Sequence, residues 1–258
     1  MFKRLVIVLG LMVALSPALY AGTALAQNIS IDLGQDTDGT VTGRVVQLVL
    51  LMTVLSLAPS ILIMMTSFTR IIVVLSFLRT AIGIQQTPPN TVMVSLAMFL
   101  TFFIMSPTLQ TAYQDAVVPL MEQKIDELQA FDKGVAPFKT FMLGHVRSQD
   151  LRLFTELSKT TPPKDVSQTP IQVVIPAFMI SELRRAFEIG FMLFLPFLII
   201  DLVTAAILMS MGMMMLPPVT ISLPFKIIFF VLVDGWYLIT GSLIRSFDPS
   251  ALPLPPGG

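Results

Sequence analysis

The sequence predicts an all-α membrane protein in which two long helical hairpins, built from four hydrophobic segments, flank a small helical domain that faces water. Of the 258 residues, 54% are hydrophobic and 12% are charged, and the mean hydropathy is +0.82. A soluble domain is about a quarter charged. Apolar runs long enough to cross a bilayer occur in two pairs. Between the pairs, residues 113–185 hold nine of the sixteen acidic and nine of the sixteen basic residues.

Composition excludes several classes of function. A formal net charge of zero argues against a nucleic-acid partner. The sequence has no cysteine, which excludes disulfides, zinc sites and thiol catalysis. It contains no Walker loop, no HExxH and no GxSxG motif, so we expect no enzyme activity, no cofactor and no metal.

The predicted organisation has six parts: a cleavable signal peptide (1–26), a flexible lead-in (27–43), a first hydrophobic hairpin (44–112), a central helical domain (113–185), a second hydrophobic hairpin with a methionine turn (186–245) and a Pro-rich tail (246–258). The signal peptide is indicated by Lys3 and Arg4 before a short apolar core, and by "ALA" at 24–26, with cleavage expected before Gln27. The alternative is an uncleaved anchor helix. Cleavage would place the mature N-terminus outside the cytoplasm.

The first hairpin begins with a run of 25 residues without a charge, 45–69, in which Pro59 predicts a kink or a break. A second span follows at about 91–110. The connection between them carries Arg70 and Arg79 and no acid, so the positive-inside rule predicts that it is cytoplasmic. We interpret both arginines as determinants of topology.

The central domain is predicted to be helical and to lie on the outer side, because an even number of spans precedes it. "VPLMEQKIDELQAF" predicts one amphipathic helix from the spacing of Met121, Ile125 and Leu128. "APFKTFMLGHVRSQDLRLFTELSK" predicts two helices whose apolar faces include Phe138, Phe141, Phe154 and Leu157. His145, beside Gly144, is interpreted as a surface residue.

The second hairpin carries charges inside its apolar arms, with Asp201 midway along the first arm and Lys226 and Asp234 in the second. A lone charge at bilayer depth costs roughly 2.5–3.5 kcal/mol. Folding the arms about residues 213 and 214 places Asp201 and Lys226 at equal distances from the turn, so we expect them to pair, within one chain or between subunits. Alternatively, Lys226 snorkels to the interface.

The turn of this hairpin, "SMGMMMLPP", belongs to a stretch in which five of the seven residues 209–215 are methionine. Gly212 permits a tight turn, and Pro217 and Pro218 stop the preceding helix from continuing. From the residues alone, these methionines fill the hairpin core, or their thioethers bind Cu(I). The predicted cytoplasmic position, the lack of cysteine and the single histidine all weigh against copper.

Three blocks of the sequence resemble the FliP family, the P subunits of the flagellar type III export gate: "PSILIMMTSFTRIIVVLSFLRTAIGIQQTPPN" (59–90), "PAFMISELRRAFEIGF" (176–191) and "DLVTAAILMSMGMMMLPPVTISLPFK" (201–226). Their order, with the charged domain between the first two, is similar to that family over nearly the whole mature chain. The resemblance implies a multi-pass protein of the bacterial inner membrane and the flagellar basal body. Five copies would join the FliQ and FliR subunits in a helical ring, with further export-apparatus membrane proteins as partners and the central domain on the periplasmic side.

The resemblance also implies a mechanism. Unfolded flagellar substrates would pass through the centre of the ring, and Met213, Met214 and Met215 would form a gasket around the pore. It implies that Glu182 bridges adjacent subunits, where the residues alone allow a solvated pair with Arg185 on the same helical face.

Further candidates for subunit interfaces are Phe141, Arg147 and Phe154 of the central domain, together with Asp201 and Lys226. Two other functions stay open. A secondary transporter would relay protons through Asp201, and a pure assembly scaffold would not need the methionine turn to close a pore.

Overall fold

The computed structural model describes residues 41–84, 87–158, 165–213 and 216–248. The predicted signal peptide, residues 27–40 of the lead-in, Met214, Met215 and the tail from residue 249 lie outside the described residues. Within the described ranges the chain forms helices and no strands. The chain divides into two compact units, residues 1–53 and 54–258, and the second contains the core.

The α-helices are, in chain order, α1 (Val41–Met64), α2 (Phe68–Ile82), α3 (Asn90–Ala112), α4 (Val118–Met121), α5 (Glu127–His145), α6 (Ser148–Leu157), α7 (Ile171–Ser210), α8 (Pro218–Leu232) and α9 (Gly235–Arg245). A π-helical segment, Tyr113–Val117, joins α3 to α4, and a 3-10 turn, Val166–Gln168, precedes α7.

Helix α7 is the spine of the second unit. Its 40 residues extend about 60 Å at a rise of about 1.5 Å per residue, roughly twice the thickness of a hydrocarbon core. Helices α2, α5, α6 and α8 all pack against it. It runs without a break through residues 185 and 186, so one helix links the predicted central domain to the second hairpin.

Helix α2 is the centre of the larger hydrophobic core. Its buried apolar side chains follow the spacing of one helical face: Ile71, Val74, Leu75, Leu78, Ala81 and Ile82. Ala186 and Phe197 of α7 and Phe230 of α8 belong to the same cluster. A second cluster joins the central domain to α7 and includes Met105, Phe138, Met142, Val174 and Phe178.

Two helical stretches, Asn90–Met121 and Ile171–Ser210, are long and apolar enough to cross a membrane. Two more candidates arise if a broken pair counts as one span: residues 48–64 with α2, and α8 with α9, which meet at 62°. For the part of the chain that the structure describes, the prediction of a helical membrane protein is therefore confirmed, with two to four candidate spans by length and composition.

One predicted helix of the central domain is interrupted. The amphipathic helix proposed for "VPLMEQKIDELQAF" is wrong, because α4 ends at Met121 and Gln123 has a left-handed φ of 56°. Asp126 is the N-cap of α5, because its side chain accepts a hydrogen bond from the Gln129 N–H at 2.7 Å. This cap starts a new helix although the spacing of Met121, Ile125 and Leu128 predicts a continuous one. The two helices predicted from "APFKTFMLGHVRSQDLRLFTELSK" are confirmed as α5 and α6.

The sequence predicts that Asp234 lies midway along a continuous helical arm, and this prediction is wrong. Asp234 occupies the break between α8 and α9 with a left-handed φ of 50°, a conformation that aspartate tolerates better than most residues. The apolar run after Val45 is also broken, at residues 65–67, whereas Pro59 is accommodated inside α1.

Replacing Gly190 with alanine should weaken the packing of α7 against α2. A Cβ at this position would lie 2.5 Å from Cδ2 of Phe77 and 3.1 Å from its Cβ, so the neighbouring side chain and backbone would have to shift. We expect a loss of about 1–3 kcal/mol, measured as a lower unfolding midpoint in mild detergent.

The matched control is Gly241→Ala in α9, where an added Cβ meets no atom within 4 Å. Alanine is the better helix former, so this variant should unfold at the same midpoint or a higher one. Indistinguishable midpoints for the two variants would contradict the close approach of α2 and α7 at Gly190.

Candidate functional site: the methionine turn and the buried charges

Helix α7 ends in a Schellman motif that shapes the methionine turn. The Met213 N–H donates to the Leu208 carbonyl at 3.0 Å, and the Gly212 N–H donates to the Met209 carbonyl at 3.1 Å. Gly212 has a φ of 74°, the left-handed conformation that this motif places after a helix and that glycine adopts without strain. Helix α8 begins at Pro218, after Pro217 in extended conformation. The structure thus places Gly212 and both prolines at the ends of the turn.

The described methionines of the turn are exposed. Met209, Met211 and Met213 expose 58%, 63% and 45% of their surface in the single chain. The alternative that they fill the hairpin core is therefore wrong for these three residues. Exposed apolar side chains of this kind are available to contact another chain.

Behind the turn, Asp201 and Lys226 are in contact within one chain. Lys226 Nζ lies 2.6 Å from Asp201 Oδ2, and Asp201 Oδ1 accepts a hydrogen bond from the Ser222 hydroxyl. Lys226 is only 3% exposed, so its ammonium is buried and does not snorkel. Its Nζ also donates to the Ala81 carbonyl at 3.2 Å.

This network connects three helices close to the turn. Ala81 belongs to the last turn of α2, whose carbonyls carry the negative end of the helix dipole, and the Lys226 ammonium complements that charge. Asp201 belongs to α7, and Ser222 and Lys226 belong to α8. The two arms of the hairpin are therefore joined to each other and to the end of α2.

A second buried ion pair lies between α2 and α7. Arg70 and Glu182 are both fully buried, and the guanidinium donates to both carboxylate oxygens, with Nε 2.8 Å from Oε2 and Nη2 on Oε1. Arg70 Nη1 donates to the Ser246 carbonyl at 3.1 Å and to its hydroxyl at 2.9 Å. The Phe247 ring covers the guanidinium, with its centroid 3.7 Å from Cζ.

This pair changes the interpretation of both residues. Arg70 is enclosed by Glu182, Ser246 and Phe247, contacts that its interpretation as a determinant of topology did not include. Glu182 does not face an adjacent subunit in this conformation, because both of its oxygens are engaged inside the chain, and its partner is Arg70 rather than Arg185. Arg79 does lie by the α2–α3 connection, where it donates to the Asn90 side chain.

The remaining candidates lie around the central domain. Phe141 is half-buried, with ring contacts to Phe178 and Phe247 inside the chain. Arg147 lies 3.9 Å from the Asp150 carboxylate and keeps part of its side chain exposed, and Phe154 is partly buried. Phe141 and Arg147 therefore make contacts within the chain.

His145 is not a surface residue, because only 7% of it is exposed. Its ring lies among those of Phe141 and Phe247. Sequence reasoning missed this position because the partner that covers it is 102 residues away. Among the described residues, no group of three or more His, Cys, Asp or Glu side chains is arranged to hold a metal ion.

Replacing Asp201 with asparagine should destabilise the hairpin, because it leaves the buried Lys226 ammonium without a counter-charge. Breaking a buried pair in this way costs about 3–5 kcal/mol. The control is Glu188→Gln, which removes an exposed pair with Arg184, whose side chains are 56% and 57% exposed, and should cost about 0–1 kcal/mol. Chemical unfolding in mild detergent measures both, and equal costs would contradict the role assigned to the buried pair.

Exchanging the charges, Asp201→Lys with Lys226→Glu, tests whether the attraction between these two residues is what joins the arms of the hairpin. The double variant should recover assembly relative to Lys226→Glu alone, because the two charges again attract. Recovery should be incomplete, because the Ala81 carbonyl accepts a hydrogen bond from Lys226 in the wild-type chain. A carboxylate at residue 226 cannot donate that bond. No recovery at all would contradict the pairing.

Comparison with known proteins identifies the family. The model of the FliP family matches residues 51–243. The chain is 57% identical over 245 residues to the flagellar biosynthetic protein FliP of Caulobacter vibrioides, covering 95% of this chain and 91% of that protein. It is 54% identical over 220 residues to the flagellar biosynthetic protein FliP of Bacillus subtilis, covering 85% of this chain and all of that protein. The chain belongs to the FliP family of flagellar biosynthetic proteins.

Proposed function

We propose that this chain is a channel-forming subunit of the flagellar type III export gate, which passes unfolded flagellar proteins across the inner membrane. Its methionine turn closes the pore when no substrate is present. One observation carries the proposal beyond the family's role in flagellar export: exposed methionines surround Gly212 at the end of α7, in a hairpin whose arms are joined by buried charges.

Methionine suits a seal that must also open. Its side chain is unbranched, flexible and polarizable, so several copies around an axis can close against ions and still adapt to varied polypeptides. An apolar constriction also excludes water, and with it ions. The Schellman turn fixes the backbone while leaving the side chains free to move.

Assembly into a ring is favoured by the apolar surface of the single chain. Large hydrophobic side chains are exposed along α3, α7 and α8, among them Phe99, Phe103, Phe191, Met192, Val231 and Leu232. Such surfaces require lipid or protein cover. Copies of the chain, five if it assembles as the family resemblance implies, would cover part of them through a head-to-tail interface that closes. FliQ and FliR subunits and further export-apparatus membrane proteins would cover more.

A secondary transporter is the alternative, with Asp201 as a proton carrier. The contacts of this carboxylate weigh against it. Lys226 and Ser222 engage both oxygens, so a proton could reach this carboxylate only if one of these two contacts were broken in each cycle.

Replacing Met213, Met214 and Met215 with alanine should make the membrane leak ions while the complex still assembles. Alanine keeps the turn but removes the thioether volume that fills the constriction. The measurement is ion flux through vesicles that contain the purified complex. Met192→Ala, which shortens an exposed methionine of α7 far from the turn, should leave the vesicles tight. A triple variant that assembles and stays tight would contradict the gasket and favour a pure scaffold.

Native mass spectrometry of the chain co-expressed with FliQ and FliR tests the assembly itself. The expected result is a set of discrete masses for a ring of this chain with smaller membrane subunits. A stable, partner-free monomer or dimer that transports a solute would contradict the export gate and support the transporter.

A further inference from the structure

His145 has a backbone carbonyl within hydrogen-bond distance of each ring nitrogen. Nδ1 lies 2.8 Å from the carbonyl of Phe141, one turn earlier in α5, and Nε2 lies 3.3 Å from the carbonyl of Phe247, which follows α9. A carbonyl oxygen can only accept. Because a neutral imidazole carries a single N–H, it can satisfy only one of these two acceptors, and the other nitrogen then turns a lone pair toward an oxygen.

The doubly protonated ring resolves this conflict, since an imidazolium donates from both nitrogens. We propose that His145 is a proton-dependent latch, which holds the segment 246–248 against the central domain when the imidazole is charged and loosens it when the ring is neutral. The latch stands on these contacts alone and does not depend on the pore proposed above.

The latched segment covers the buried ion pair between α2 and α7. The Phe247 ring lies over the Arg70 guanidinium and stacks on Phe141, with ring centroids 6.1 Å apart, and both Ser246 oxygens accept from Arg70. Release of residues 246–248 would remove these contacts together. The state of one imidazole is thereby connected to the hydration of the Arg70–Glu182 pair.

Thermodynamic reciprocity gives the direction of the effect. If docking of the segment favours the protonated ring, protonation must favour docking to the same extent. Docking should therefore be firmest at about pH 5 and weaken toward pH 8, the window in which histidine changes charge. A hollow of about 580 Å³, lined in part by Asp115, Thr140, Gly144 and His145, opens beside the ring and provides a path for protons from water.

Charged groups on the neighbouring elements do not substitute for the imidazole. Arg70 and Glu182 lie behind Phe247 as a neutral pair. The others are Asp115 in the π-helical segment, Arg147 and Asp150 at the start of α6, Arg185 of α7 and Asp248 of the segment itself. His145 is the only imidazole among these groups, and it is the side chain whose ring nitrogens face both carbonyls.

Hydrogen exchange of the full chain in mild detergent tests the latch. The amides of Ser246, Phe247 and Asp248 donate to carbonyls at the end of α9, and these bonds should open more often when the segment is no longer held by its contacts with His145 and Arg70. After correction for the intrinsic effect of pH, we expect their exchange to be about tenfold slower at about pH 5 than at about pH 8, the gain typical of a charge-assisted hydrogen bond.

Two variants separate the latch from general packing. His145→Gln keeps a neutral amide donor near the position of Nε2, so its protection should not depend on pH. His145→Asn reaches the Phe141 carbonyl but not Phe247, so it should be less protected at both pH values. A wild-type chain without pH dependence, or a glutamine variant with the same dependence, would overturn the proposal.

If neither variant folds, the wild-type chain decides the question by NMR. His145 is the only histidine, so a sample labelled on the imidazole nitrogens and purified without a histidine tag gives one ring to observe. A ring with two N–H groups at about pH 5 and one at about pH 8 agrees with the latch. A ring that keeps a single N–H across this range would refute it.

Discussion

The ion pair of Arg70 and Glu182 is the constraint on which the rest of the fold depends. Both groups are fully buried between α2 and α7, 112 residues apart in the chain, and the fork of the guanidinium matches both carboxylate oxygens. A shift of α2 along α7 by one residue would leave a charge facing apolar side chains, with a large desolvation cost. The pair therefore sets the register of the two helices that form the larger core.

Helix α2 is held at both ends by charge. Arg70 in its first turn meets Glu182, and about 16 Å further along, at about 1.5 Å per residue, the Ala81 carbonyl accepts from Lys226. Apolar packing fills the interval between them. The second of these joints also connects the two arms of the methionine hairpin. The turn thus follows a framework whose buried charges are paired within the chain and whose exposed surface carries many large apolar side chains.

Much of this could be predicted from the sequence, and the failures have physical causes. Length, hydropathy and helical periodicity predict the helices, and the symmetry of a hairpin predicts the contact of Asp201 with Lys226, because both are local patterns. Arg70 and His145 were misread because their partners are more than 100 residues away, and spacing along the chain carries no information about such contacts. The N-cap at Asp126 was missed because the sequence carries two competing signals there. The apolar spacing predicts one continuous helix, whereas a capping aspartate predicts the start of a new one, and the structure follows the cap.

A double-mutant cycle on Arg70 and Glu182 tests the central constraint most directly. Arg70→Met, Glu182→Met and the double variant are compared by chemical unfolding in mild detergent. Each single change leaves one buried charge unpaired and should cost about 3–5 kcal/mol. We expect the double variant to lose far less free energy of unfolding than the sum of the two single losses, because it removes both charges together. Losses that simply add would show that the two side chains stabilise the chain independently and would contradict the account.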